Sequence, residues 1–149
     1  MNLQTGTFSL ENFPFGPDTD ARALYDALAD RLRGTLLPDG SGVLRLRDPV
    51  PLAGTEWRVE LDFLRGKPQR AVLRPLLPDP LAARREAEDV RRAFCDRLLR
   101  DALGQPDSRT EGCTLYRRPY GTVCAVSDTD PRGTASLGCL VLTYGGGEG

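Results

Sequence analysis

Histidine is absent from this 149-residue chain. That absence removes more chemistry than any motif present adds. Histidine is the usual general base near neutral pH and the commonest metal ligand, so Ser-His-Asp and Cys-His catalysis and most catalytic zinc sites are excluded. An enzyme would have to work with carboxylates, Lys, Tyr or Cys. Neither sign of charge dominates, because 20 basic residues face 21 acidic ones for a formal net charge of -1. No global field gathers polyanions or anionic lipid, which argues against nucleic acid and membrane as partners. Long apolar runs are missing too, since nowhere do about 18 apolar residues stand together, and MNLQTGTFSLENF lacks a basic segment followed by an apolar core. The chain reads as soluble and cytoplasmic as it stands, and as exported if a signal peptide has been removed. The four cysteines, Cys95, Cys113, Cys124 and Cys139, form no C-x-x-C pair. Neither a zinc ribbon nor a thioredoxin-type motif is supported, and buried reduced thiols are the simpler reading. No cofactor or metal is expected.

What is present suffices for one core, and the length is that of a single domain. In PDTDARALYDALADRLRG, Asp18 or Thr19 can cap a helix, and Ala21, Leu24, Tyr25, Leu28 and Leu32 recur at helical spacing before Gly34. The spacing predicts a helix over about 19–33. A second helix is capped by Asp79 with Pro80 in its first turn, and its stripe of Ala87, Val90, Phe94, Leu98 and Ala102 ends before Gly104 and Pro106. Between them the period falls to two. Trp57, Val59, Leu61 and Phe63 alternate with Arg58, Glu60 and Asp62, the pattern of a strand with one buried and one wet face. A turn at 65–68 returns the chain along 69–76, and 42–47 is a shorter strand. Further strands are predicted at 113–118, 122–127 and 135–143, with a polar loop at 128–134 and a Gly-rich tail at 145–149. The expected fold is α+β: a single domain over 1–144 made of two helix-then-three-strand units, about 12–76 and 79–144. They would form one antiparallel sheet with two helices on one face and the other face open.

Three stretches carry a family resemblance. PFGPDTDARALYDAL (14–28), the hairpin EWRVELDFLRGKPQRAVLRP (56–75) and LGQP (103–106) resemble motifs of small two-layer domains of the beta-lactamase inhibitor protein and outer-membrane assembly lipoprotein group. The chain departs from that pattern at Pro68, where an apolar residue normally follows Gly-Lys. The resemblance implies a noncatalytic scaffold that binds another protein with its sheet face and loops. The order of elements is also similar to the secretion-chaperone-like fold, whose members are dimeric client holders. A homodimer is compatible with that second likeness.

The run TEGCTLYRRPYGTVCAVSD (110–128) concentrates tyrosines, arginines, cysteines and a carboxylate. With Cys113 and Leu115 assigned to the core, alternation would put Tyr116 and Arg118 on the open face near Arg58, Glu60 and Asp62. Aromatic and arginine side chains on an uncovered sheet are typical interface anchors. Tyr116, Arg118, Tyr120, Arg58, Glu60, Asp62, Asp128 and Asp130 are thus the candidate binding residues, for another protein as partner. An alternative is a small enzyme with Asp128 or Asp130 as base and Arg117 or Arg118 stabilising an anion, but no nucleophile, base and orienting group fall together in the sequence. DTDPRG (128–133) offers part of a calcium loop, with Arg132 where a third oxygen ligand is wanted, so it reads as a turn.

Overall fold

The computed structural model describes residues 1–76, 84–110, 112–129 and 136–145. The chain opens with a hairpin, β1 (Phe8–Leu10) and β2 (Phe13–Phe15), followed by helix α1 (Ala21–Leu28) and a 3-10 turn at Ala29–Arg31. Strands β3 (Leu32–Arg33), β4 (Gly42–Leu46), β5 (Val50–Leu52), β6 (Thr55–Leu64) and β7 (Lys67–Leu76) precede helix α2 (Arg84–Leu103). Strands β8 (Ser108–Thr110), β9 (Cys113–Arg118), β10 (Gly121–Thr129) and β11 (Ser136–Tyr144) complete it. Among the described residues, β3 to β11 make one nine-stranded sheet in the order β3-β4-β6-β7-β11-β10-β9-β8, with β5 added beside β4 on β6. Every pairing is antiparallel.

Two helix-then-three-strand units are not what the chain forms. It is mostly β. Two strands precede α1, five separate the helices, and four follow α2. The missed strands have two or three residues each, too few to display a period of two. Pro14 and Pro51 lie inside two of them, FPF and VPL, where proline argues against a central strand but not against an edge. The predicted first helix ends five residues early, because Leu32 pairs with Leu46 instead of continuing the turn. Its cap is Asp20, whose Oδ2 accepts from the Ala23 N–H at 2.9 Å. The second helix matches over its described part, and Gly104 holds the left-handed φ of +81° that ends it. Asp79 and Pro80 lie outside the described residues, as does the tail beyond 145.

The long strands were legible. In β6, Trp57, Val59, Leu61 and Phe63 are buried. Arg65 and Gly66 both take positive φ, +53° and +83°, the requirement of a type I′ hairpin turn, so β7 returns directly. Leu44, Leu61, Ala71, Leu142, Val123 and Tyr116 then stand opposite one another across six strands on one inner face. α2 covers β10 and β11 there. A Cβ on Gly138 would come within 2.5 Å of the Arg92 backbone N, so glycine sets how closely helix and strand approach. The Phe94 ring sits 5.9 Å from that of Trp57. The N-terminal hairpin covers the other end through Phe15, whose ring meets Phe63 at 6.2 Å and Tyr144 at 5.8 Å. One buried cluster therefore runs from Leu3 to Tyr144. No helix among the described residues is long and apolar enough to cross a membrane.

Phe63 is 2 % exposed on the inner face, where its ring meets that of Phe15. Phe63→Ala is expected to lower unfolding free energy by about 3–5 kcal/mol, through lost transfer energy and the cavity left beside Phe15. Urea denaturation measures it, and a loss below about 1 kcal/mol would contradict the inner-face assignment.

Candidate functional site

The face opposite the helices is the candidate site, and its composition follows from register. Side chains alternate along each strand, so the residues between those of the core all point outward. One outward row reads Arg33, Arg45, Glu60, Val72, Val141, Cys124, Leu115 and Ser108 across eight strands, each directly opposite the next. Parallel to it run Arg58 opposite Arg74, and Val126 opposite both Cys139 and Cys113. The face therefore has two halves. On β3, β4, β6 and β7 it is rich in arginine. On β7, β11, β10 and β9 it is apolar: Val141, Val126, Cys124, Cys113 and Leu115 are half-buried, and Val72 is only 7 % exposed.

A cleft of about 130 Å³ lies at the junction, between Glu60, Arg70, Arg74, Val72, Val126 and Val141. Beside it, a groove of about 420 Å³ is lined by Arg33, Arg45, Arg47, Arg58, Arg74 and Glu60. Glu60 is occupied there, since its Oε1 accepts from Arg45 Nε at 2.6 Å. The thiol of Cys124 is pushed up to about 12, first by burial and then by Cys113 beside it. Burial likewise pushes Cys95, on the buried side of α2, up to about 12. Neither is a ready nucleophile at neutral pH.

Of the sequence-predicted residues, Arg58, Glu60 and Asp62 do lie on this outer face, with Asp62 opposite Arg70. Tyr116, Arg118 and Tyr120 do not. Tyr116 is 1 % exposed beneath α2, and its hydroxyl donates to the Gly104 carbonyl at 2.7 Å. Arg118 leans on the Tyr116 ring at 5.6 Å and donates from Nε to Gln4 Oε1 at 3.1 Å and from Nη2 to the Leu103 carbonyl at 3.4 Å. Tyr120 is 8 % exposed and donates to the Leu3 carbonyl at 2.9 Å. Strand β9 is thus one residue out of the expected register: Thr114 and Tyr116 face inward, while Cys113 and Leu115 face outward. The tyrosine ring has more apolar area to bury than a cysteine, and Thr114 is needed inside, where its Oγ1 accepts from Arg92 Nη2 at 3.0 Å. That second requirement comes from another element and has no local signal.

Asp128 lies in β10 opposite Leu137, and Asp130 is outside the described residues. Asp128 is seven positions along β10 from Gly121, which faces Arg118, a separation of about 23 Å at 3.3 Å per residue. The carboxylate that reaches Arg117 and Arg118 is instead Asp107, whose Oδ2 accepts from the Arg117 N–H at 2.6 Å and lies 3.8 Å from Arg118 Nη1. Sequence reasoning missed Arg33, Arg45 and Arg47, because nothing local aligns β3 and β4 with β6, and it missed Arg74 because no face was assigned to the return strand β7. Among the described residues no group of three or more His, Cys, Asp or Glu side chains converges. The chain matches no family model, no curated protein and no solved structure. The resemblance of its short motifs to the inhibitor and assembly-lipoprotein group is neither supported nor refuted by those comparisons.

The inward tyrosines make a pH prediction. Burial raises the ionisation of Tyr116, pushes Tyr120 up to about 12, and raises Tyr144, whose hydroxyl donates to the Gly6 carbonyl, further still. Tyrosine is charged when deprotonated, so below about pH 10 both folded and unfolded chains keep these protons and stability is fully retained. Above it the unfolded chain releases protons that the folded chain holds. Stability should therefore fall as pH rises from about 10 towards 12. Urea midpoints measured across that range check this, with Tyr120→Phe expected to flatten the decline. A midpoint unchanged up to about pH 12 would contradict the burial.

Proposed function

We propose that this chain is a noncatalytic protein-binding domain of inhibitor, immunity or assembly-factor type that uses the outer face of its sheet. One observation carries the reading: the apolar half of that face is contiguous and in register. An antiparallel sheet with one covered face normally turns a polar surface to water. Here Val72, Val141, Val126, Cys124, Cys113 and Leu115 adjoin one another on four neighbouring strands. A coherent apolar strip with a charged border is the composition of an interface, with its dry centre and polar rim. Neither concavity on the face has the make-up of a small-molecule pocket: the cleft at the junction holds only about 130 Å³, and the groove of about 420 Å³ is lined mainly by arginine, whereas ligand pockets are mostly apolar and hold about 300 Å³ or more.

The test compares outer-face variants for capture of one partner. Affinity capture with the parent chain identifies a bound protein, and its affinity is then measured for Leu115→Ser/Val141→Lys and for Leu37→Ser, an exposed loop position at 61 %. The strip variant is expected to weaken binding by about tenfold or more while still unfolding cooperatively, and the loop variant to leave binding unchanged. Equal capture by the parent and a folded strip variant would move the interface off this face.

A further inference from the structure

The arginine half of the outer face is assembled against its own electrostatics. Directly opposed strand residues stand about 5 Å apart, and like charges placed there destabilise a sheet. This sheet follows that rule at Asp62 opposite Arg70 and at Arg45 opposite Glu60. It breaks the rule twice nearby, with Arg33 opposite Arg45 and Arg58 opposite Arg74. Five guanidinium groups, those of Arg33, Arg45, Arg47, Arg58 and Arg74, then line the groove of about 420 Å³ with Glu60 as the carboxylate among them. The local balance is about +4 in a chain whose total is -1, so overall composition does not account for it. The Nε–H of Arg74 is buried in the groove wall and has no hydrogen-bond partner among the described residues. A buried donor without an acceptor is costly.

Resting on the protein-binding reading of this face, we propose that the groove receives an acidic segment of the partner, rich in Asp or Glu, whose carboxylates accept from these arginines. Guanidinium groups match carboxylates as paired forks. Arg45 and Arg47 recur at the two-residue period, and same-side carboxylates of an extended segment recur at the same period, about 6.8 Å. Such a segment relieves both like-charge pairs. Glu60, which lines the groove, stands directly opposite Val72 at the border of the apolar strip, so one partner can engage both halves. Nucleic acid fits less well. Single strands bind on aromatic platforms that stack their bases, and the outward rows from Arg33 to Ser108 and from Arg58 to Cys113 contain no aromatic residue.

The probe is a fluorescein-labelled peptide of alternating Glu and Ser, titrated at low ionic strength with the full chain and with Arg33→Gln/Arg58→Gln, using oligothymidylate as a second probe. The expected result is saturable peptide binding that weakens with salt and falls by about tenfold or more in the variant. The variant's urea midpoint should stay at or above that of the parent, because each substitution removes one member of a repelling pair. A structural role for these arginines would lower it. Three results would overturn the proposal: no peptide binding up to about 1 mM protein, equal binding by the variant, or tighter and variant-sensitive binding of oligothymidylate. If the peptide fails while Leu115→Ser/Val141→Lys still loses the captured partner, only the acidic-segment assignment falls. If both fail, the outer-face reading falls with it.

Discussion

A row of six side chains, Leu44, Leu61, Ala71, Leu142, Val123 and Tyr116, sets the register of six strands at once. Each is buried, and each lies opposite its neighbours. A slip of one residue in any strand would put its core set into water and its outward set under the helices. Because the slip penalty is shared along the row, one strand cannot move without losing contacts on both sides. The outer face inherits this precision. Arg33, Arg45, Glu60 and Val72 are aligned only because the buried residues beside them are.

The two ends of the sheet are closed by different chemistry. At the N-terminal end the rings of Phe8 and Phe15 pack at 5.0 Å, and Phe15 reaches Phe63 and Tyr144. Two tyrosine hydroxyls, those of Tyr120 and Tyr144, then donate to the Leu3 and Gly6 carbonyls. Those bonds hold the first residues against strands more than a hundred positions later in the chain. Gly6 is required there: a Cβ would fall 2.7 Å from the Tyr120 ring. Under α2 the closure is polar. Arg92 bridges Asp96, with Nε 3.2 Å from Oδ2, and Thr114 on β9. A half-buried ion pair of this kind adds little net stability but is costly to break from one side, so it acts mainly to fix where the helix sits on β9.

How much of this was legible in the sequence depended on how long each element is. β6 and β7 each have ten residues, several repeats of the period of two; both were read as strands of one hairpin, and the inward set of β6 was read correctly. Helix α2 has twenty residues and a clear apolar stripe. β9 has six residues whose two alternating sets, Cys-Leu-Arg and Thr-Tyr-Arg, carry nearly equal apolar content, so the pattern could not choose between them. The choice falls to long-range partners: Gly104 for the Tyr116 hydroxyl and Arg92 for Thr114. The strands of two or three residues were invisible for the same reason in stronger form. The candidate site divided along the same line. Arg58, Glu60 and Asp62 come from a strand long enough to read, whereas Arg33, Arg45 and Arg47 come from short strands or their ends, whose alignment only the fold supplies.

On the proposed protein-binding reading, the two halves of the outer face would serve different stages of association. Charge acts over about a Debye length, near 8–10 Å at physiological salt, and governs the rate and orientation of encounter more than its final strength. Apolar contact acts only when water has left, and it sets how long the complex lasts. In this sheet the two lie along one row, with the change from Glu60 to Val72 falling between adjacent strands. A partner drawn to the arginines, as proposed, would therefore be held within one strand spacing, about 5 Å, of the apolar strip. Repulsion between Arg58 and Arg74 in the free protein makes the same point energetically. A fold selected for stability alone would place an acid at one of those positions, as it does at Asp62 opposite Arg70, so the opposed arginines are what the proposed binding role of this face would account for, as stability given up for function.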